Sequence, residues 1–341
     1  MIRRALGLVG VMALLLAVAP ASGIAQAPEG PRLAYIREGQ PLRGAEILTV
    51  DPLGEYPQML SSMPNTGLAS RGLFWSSDGS QLALGGYGLP RERIVALPAS
   101  GGRFRPLRGI GAGFNPVFSP DGRTVAFSRF RFRPAKRKGQ RRLYLALSAW
   151  VDTQDSKPRQ LTPWRNGLFI APSSFSPDGG ELAAVRETLR DGPQIVTLPA
   201  GGGAFSVVVE NGLEPKYSPD GSAIAFVRRK LRRVPKRSAP GPVYGGDLFV
   251  ASADGSHVRR LTFTPAKREE GPSWDPSGER LAFAQFPSKL TWEARTGIGS
   301  AIIEINADGT CRHRLLFTYG LSYWAPAWQP GPGREAGRIE C

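Results

Sequence analysis

Apolar residues run along this chain in short stretches, each closed by a cluster of Gly, Pro, Asp and Ser, the pattern of strands joined by tight turns. One such turn recurs. An aromatic residue opens it and a strand with a small central residue follows: WSSDGSQLAL from Trp75, FSPDGRTVAF from Phe118, FSPDGGELAA from Phe175, YSPDGSAIAF from Tyr217 and WDPSGERLAF from Trp274. A sixth copy, WQPG from Trp328, stops before its strand. The anchors are separated by 43, 57, 42, 57 and 54 residues, a period that marks a propeller or solenoid. In each turn proline presets φ, aspartate accepts from the backbone two residues on, and glycine takes positive φ. Asp121, Asp178 and Asp220 therefore read as turn residues, not as paired catalytic carboxylates or metal ligands.

Two further strands complete each unit. The third reads EILTVD (46–51), RIVALP (93–98), LYLALS (143–148), QIVTLP (194–199), DLFVAS (247–252) and AIIEIN (301–306), and a glycine turn leads into a short fourth. Four hairpin-linked strands make one propeller blade. RLAYIRE (32–38) has no anchor before it, and Trp328 has no strand after it. Joining the two completes the set and removes two exposed sheet edges. The expected fold is all-β: a six-bladed β-propeller of four-stranded antiparallel blades, its ring closed by the N-terminal strand completing the last blade.

Ahead of that strand lie Arg3 and Arg4, an apolar stretch from Ala5 to Ala19 and then small residues. This is the layout of a secretory signal, with cleavage expected after Ala25. Retention as an anchor is the alternative, although a membrane span needs about 20 apolar residues. The expected organisation is a signal peptide at 1–25, the propeller at 28–333 and a C-terminal tail at 334–341.

The core SPDG-x-x-[LIV]-A-F, followed by [DN]-L-[FY]-V-x-x-[AD]-D-G and R-x-L-T, resembles the repeat of the TolB-type propellers. The match is fullest at Asp247-Leu248-Phe249-Val250, Ala253-Asp254-Gly255 and Arg260-Leu261-Thr262, and the likeness spans residues 31–331. The resemblance implies export to the bacterial envelope (periplasm, cell envelope or exterior) and a protein-binding role. TolB itself carries a separate domain before its propeller. Here the first strand starts almost at the expected mature end, so Tol–Pal partners are not carried over.

Charge changes this picture locally. The formal net charge is +16, and residues 129–142 (RFRFRPAKRKGQRR) hold eight basic residues while 228–237 (RRKLRRVPKR) hold seven, neither with an acid. Both segments fall between second and third strands, as does 286–299. They are expected as loops on the face opposite the SPDG turns, where binding is commonly placed. The candidate binding set is Arg131, Arg133, Lys136, Arg137, Lys138, Arg232, Arg233, Lys236 and Arg237, with Phe130 and Phe132 available for stacking. The partner class is a protein or an anionic envelope polymer, with peripheral contact to a membrane surface through the same charge. Export argues against nucleic acid. The bland alternative is a pair of solvated loops on a monomer.

Catalytic chemistry is sparse. There is no G-x-S-x-G, no His/Cys/Asp cluster at metal spacing, and His257 and His313 both enter fourth strands at the periphery. No cofactor is expected. Residues just before the anchors should line the channel mouth: Phe74, Asn115, Lys216, Glu269, Tyr323 and Trp324. Their mix of aromatic, amide and charged groups suits a pocket, and blade packing explains the aromatics equally. Cys311 and Cys341 are a candidate disulfide, which export permits. Closing that loop is worth about 3 kcal/mol in the chain-entropy model. The sequence thus points to an exported, non-catalytic binding scaffold. The alternative is a channel-site enzyme or small-molecule (carbohydrate) sensor.

Overall fold

The computed structural model describes residues 30–39, 44–63, 72–85, 93–107, 110, 113–134, 141–152, 158–163, 165, 168–188, 191–229, 246–264, 267–287, 299–331 and 337–341, with backbone alone at 130–134, 141–152 and 229. The expected signal segment lies outside these residues. All regular structure among the described residues is β-strand.

The strands follow one another as antiparallel meanders. β1 (Leu33–Gly39), β2 (Ala45–Val50) and β3 (Gln58–Met63) form the first. β4 (Phe74–Trp75), β5 (Gln81–Gly85), β6 (Ile94–Pro98) and β7 (Arg105–Pro106) form the second. The third holds β8 (Phe114–Phe118), β9 (Thr124–Pro134) and β10 (Arg141–Asp152), and the fourth β11 (Leu168–Phe175), β12 (Glu181–Thr188), β13 (Gly192–Pro199) and β14 (Ser206–Glu210). Two more meanders merge into one eight-stranded sheet: β15 (Gly212–Tyr217), β16 (Ala223–Arg229), β17 (Gly246–Ser252) and β18 (Arg259–Arg260), then β19 (Lys267–Trp274), β20 (Arg280–Pro287), β21 (Ala301–Asn306) and β22 (His313–Leu316). A single ladder pair, Gly246 opposite Glu269, joins them. β23 (Leu321–Trp328) then pairs antiparallel with β1, with Leu33 opposite Trp328.

The repeated turns form as their residues dictate. Ser76, Ser119, Ser176 and Ser218 donate to Asp78, Asp121, Asp178 and Asp220 at 2.5 Å. Each aspartate also accepts the backbone N–H two residues on, at 2.9–3.1 Å. These bonds, the serine hydroxyl first, hold all four carboxyls below the usual carboxylate range. The turn glycines 79, 122, 179 and 221 have φ of 67–76°, a conformation that costs other residues a steric penalty. The fifth copy swaps its two polar residues: Ser277 donates to Asp275 at 2.5 Å.

Packing explains the small residue at the centre of each second strand. Ala34, Ala83, Ala126, Ala183, Ala225 and Ala282 are all fully buried. They sit where sheets stack face to face, and the apolar clusters join each sheet to the next. Ile36, Ile47 and Leu60 meet Leu82, Leu84 and Leu97, and Ile94 meets Val125 and Phe127. Val117 meets Ile170 and Leu182, Ile195 meets Phe226, and Leu248 meets Phe283 and Ile303. A last cluster sets Ala282 and Ile302 against Leu33, Tyr35 and Trp328.

Two expectations need correction. Residues 129–134 and 141–142 are not loop but continue β9 and β10 as a hairpin, with Arg131 opposite Tyr144 and Arg133 opposite Arg142. The R-F-R-F-R alternation has the strand period, and LYL at 143–145 supplies a matching partner. Arg228 and Arg229 likewise belong to β16, opposite Asp247 and Gly246. Lys136, Arg137, Lys138, Arg232, Arg233, Lys236 and Arg237 lie outside the described residues. Secondly, the short fourth strand expected in each repeat reduces in the third, among the described residues, to a lone bridge residue, Arg159.

The C-terminal tail folds back on the hairpin between β21 and β22. Cys341 is bonded to Cys311, with Cα atoms 5.0 Å apart. Asn306 exchanges two hydrogen bonds with the Ile339 backbone at 2.9 and 3.0 Å, and Arg338 pairs with Asp308. Converting Cys311 and Cys341 to serine is expected to lower unfolding stability by about 3 kcal/mol. Urea unfolding should match that of the reduced wild-type protein, and identical midpoints for variant and oxidised wild type would contradict the assignment.

Candidate functional site

Each anchor ends the first strand of its repeat, and the six of them (Trp75, Phe118, Phe175, Tyr217, Trp274 and Trp328) line one cavity of about 490 Å³. Prolines of the SPDG turns stand at its rim, and Pro120, Pro177 and Pro219 are exposed. The cavity therefore opens on the face of those turns.

A backbone irregularity aims the anchors inward. Asn115, Glu214, Gly271 and Ala325 have φ of 49°, 54°, 63° and 52°. Each lies three residues before an anchor and one before a proline, in N-P-V-F, E-P-K-Y, G-P-S-W and A-P-A-W. Register shifts mark β-bulges at these points in β8, β15 and β19. A bulge bends and twists its strand, which re-aims the side chains that follow. Left-handed φ is strained for Glu214, and its carboxylate offsets that by accepting the Gly271 N–H at 2.6 Å.

Turned this way, the anchors bond across to neighbouring first strands. The Trp75 indole donates to the Ala327 carbonyl and the Trp274 indole to the Lys216 carbonyl, both at 2.9 Å. The Trp328 backbone N–H donates to Ser273 Oγ at 2.9 Å and the Tyr217 N–H to Ser174 Oγ at 3.2 Å. The Trp328 indole N–H is buried without an acceptor.

Of the residues predicted for the channel mouth, Phe74 and Lys216 line the cavity. The Lys216 ammonium lies 4.8 Å from the Phe74 ring centroid and donates to the Ser173 carbonyl at 2.7 Å. Desolvation pushes its pKa down to about 8, opposed by the charge of Glu214. The other four are placed elsewhere. Asn115 sits in the β8 bulge. Tyr323 packs its ring against Tyr35 at 5.8 Å and donates its hydroxyl to Thr318 at 2.9 Å. Trp324 packs between two apolar clusters.

Glu269 is fully buried at the join between β17 and β19. It accepts from the Leu248 N–H at 3.0 Å, from Thr264 Oγ1 at 2.8 Å, from Gln285 Nε2 at 3.1 Å and from the Thr262 hydroxyl. Its carboxylate fixes the junction of two meanders and does not face the cavity. A strand residue's facing depends on the bulge beside it, and the bulge at Glu270–Ser273 was not legible as such.

A second cluster went unrecognised in the sequence. Behind Trp328, Arg280 is nearly buried and its guanidinium lies 5.0 Å from the indole ring centroid. It faces Asp275 at 3.9 Å and Glu304 at 3.3 Å, both fully buried. Burial pushes the Glu304 pKa from 4.5 up to about 7, against the pull of Arg280 and with a further push from Asp275. His313, expected to be a plain surface residue, reaches Glu304 at 3.6 Å, and desolvation lowers its pKa. The permuted turn is the one available signal, since Asp275 stands where four other copies have serine. Among the described residues no group of three His, Cys, Asp or Glu could hold a metal ion.

A family profile described as "TolB beta propeller domain" matches residues 29–331. The chain is similar to TolB from Acinetobacter baumannii, with a TM-score of 0.64 at 22% identity, covering 88% of this chain and 67% of that one. The putative TolB from Agrobacterium tumefaciens gives 0.58 at 17% identity, over 89% of this chain and 100% of the other. A chain of a nidogen/laminin complex gives 0.58 at 12% identity, over 88% and 98%. At these identities the likeness is one of fold. No curated protein matches the chain.

Two outcomes follow from this geometry. Trp75→Phe removes a buried cross-strand hydrogen bond whereas Trp328→Phe removes an N–H that has no acceptor, so the first should cost about 1 kcal/mol more. Urea unfolding of the two variants measures the difference, and equal losses would contradict the cross-strand bond. For Glu304, the unfolded carboxyl ionises above 4.5 while the folded one stays protonated to about 7. Stability should therefore fall as pH rises across that window. Glu304→Gln lacks this loss, so its advantage over wild type should grow between those pH values by at most about 1.4 kcal/mol per pH unit and then level off. Thermal melts at a series of pH values read it out; a constant difference would refute it.

Proposed function

The chain belongs to the TolB β-propeller family, and from that premise we propose that it is an exported, non-catalytic, six-bladed binding propeller. Its ring closes through β1 in the sheet of β23. It docks a protein or an anionic envelope polymer at the end of the fold where β9 turns into β10. Residues 1–25 serve as the export signal and 334–341 as the tail.

The observation that carries the docking reading is the length of one hairpin. β9 and β10 run 11 and 12 residues, against 8 each for β12 and β13. β9 starts at the same distance from its anchor as β12, so the extra three residues project about 10 Å at the far end. Arg129, Arg131 and Arg133 share one face of that projecting strand, with Arg142 opposite Arg133. In the sequence the basic segment 230–237 likewise follows a second strand, β16, which ends at Arg229. A rigid sheet presenting concentrated positive charge favours encounter with an anionic surface and raises its on-rate.

The six-bladed ring is supported by the apolar clusters, which join each meander to the next and the last to the first. The non-catalytic reading rests on the sequence, where no nucleophile motif is found, and on cavity walls made mostly of aromatic, proline and serine side chains, with Lys216 and Asp275 the charged groups among the described lining residues.

Each Lys or Arg near an anionic surface contributes about 1 kcal/mol. Changing Arg131, Arg133, Lys136, Arg137, Lys138, Arg232, Arg233, Lys236 and Arg237 to serine should therefore abolish co-sedimentation with an anionic envelope fraction. Wild-type binding should weaken steeply as salt is raised. Retained, salt-insensitive binding by the variant would sink the proposal.

A further inference from the structure

We infer that the cavity on the SPDG-turn face is a binding site for a small organic monocarboxylate with a flat apolar body, held by Lys216. This site lies at the opposite end of the strands from the basic hairpin and does not rest on the docking reading.

Lys216 is the sole cationic side chain among the described residues that line the cavity. An ammonium has three donors. One is used on the Ser173 carbonyl, and one side of the group lies over the Phe74 ring. Among the described residues the carboxylate whose charge acts on it is Glu214, on its own strand, and none forms an ion pair with it across the cavity. Asp275, the one acid on the wall, is committed to the Ser277 hydroxyl at 2.5 Å and to the Arg280 N–H at 3.0 Å. Glu214, on the same strand as Lys216, gives an oxygen to the Gly271 N–H. Glu181, from β12, takes the Tyr217 hydroxyl at 3.0 Å. A cation withdrawn from water is costly unless paired, and the open side of Lys216 faces the cavity.

The walls define the rest of the ligand. About 490 Å³ falls within the range of small-molecule sites. Aromatic anchors and turn prolines dominate the lining, and they favour a planar apolar body. The serine hydroxyls add little recognition, because Ser174 and Ser273 are already bonded to the backbone of neighbouring strands. Polar recognition falls to one ammonium. A single point charge without a cradle of N–H groups suits a carboxylate and not a phosphate dianion.

The probes are 2-naphthoate, its neutral isostere 2-naphthamide and inorganic phosphate, measured by calorimetry on the full chain. Quenching of the cavity-lining Trp75, Trp274 and Trp328 provides a second readout. Naphthoate should bind at pH 7 at least about tenfold tighter than the amide, the ratio a charge-assisted hydrogen bond supports. That preference should fall by about tenfold per pH unit once Lys216, whose pKa is about 8, loses its proton. Lys216→Met should bind both probes alike. Equal binding of acid and amide by wild type, binding of neither, or a preference that survives in Lys216→Met would each overturn the inference. Phosphate binding as tight as naphthoate would overturn the carboxylate assignment. Should Lys216→Met fail to fold, the wild-type pH profile decides: a preference unchanged from pH 7 to 9.5 overturns it.

Discussion

The fold depends on aromatic side chains that leave their own sheet and are satisfied by the next. A four-stranded meander has two faces to cover and too little of its own to cover them. Here Trp75 and Trp274 close that gap with both area and a hydrogen bond, each indole donating to a carbonyl of a neighbouring first strand. A donor on one sheet and an acceptor on another cannot be satisfied unless both sheets are in place. That makes the packing cooperative. The fully buried alanine at the centre of each second strand is the other half of the constraint, since a larger side chain there would hold neighbouring sheets apart.

One consequence is a separation of roles along the strand axis. The turns after the anchors gather at one end with the cavity, while the second strands run to the other. Second strands of five to eleven residues put about 17–37 Å between the ends. The Debye length at physiological salt is about 8 Å, so positive charge on the β9–β10 hairpin is screened from Lys216. The two proposed sites are therefore electrostatically independent.

Much of this was legible in the sequence because the repeat is written in turn chemistry. Serine, proline, aspartate and glycine at fixed offsets admit few conformations, and the turns have the bonds and the positive φ that those residues imply. The pairing of β1 with β23 was readable for the same reason, from the match between RLAY at 32–35 and RLAF at 280–283. Side-chain facing in the first strands was not. A bulge shifts facing by one position, and its signature (a residue before proline, three before an aromatic) is extended backbone by ordinary expectation. Glu269 and Tyr323 were lost to the cavity on that account, while Phe74 and Lys216 were not. The hairpin was misread for a different reason: a dense run of arginines suggested a loop, although its alternation with phenylalanine has the period of a strand.

The seam where the chain ends meet is reinforced more heavily than the repeat requires. β23 is held to β1 by ladder hydrogen bonds and side-chain packing, without a covalent link between the two strands, and chain termini are where local opening begins. On its other side β23 faces the sheet of β19–β22, and there the reinforcement accumulates. Arg280 lies over Trp328 and is held by Asp275 and Glu304, and the tail after β23 is tied back to the β21–β22 hairpin through Cys341, Ile339 and Arg338. The two devices complement each other. The disulfide restricts how far the segment after β23 can leave, whereas the buried cluster resists local separation of Trp328 from Arg280. Glu304 moderates the second device, because protonating it as pH falls through about 7 removes the cost of a buried negative charge and leaves Arg280 facing Asp275. Aspartate at 275, which stands where four other copies of the turn have serine, supplies the acid that this pairing needs.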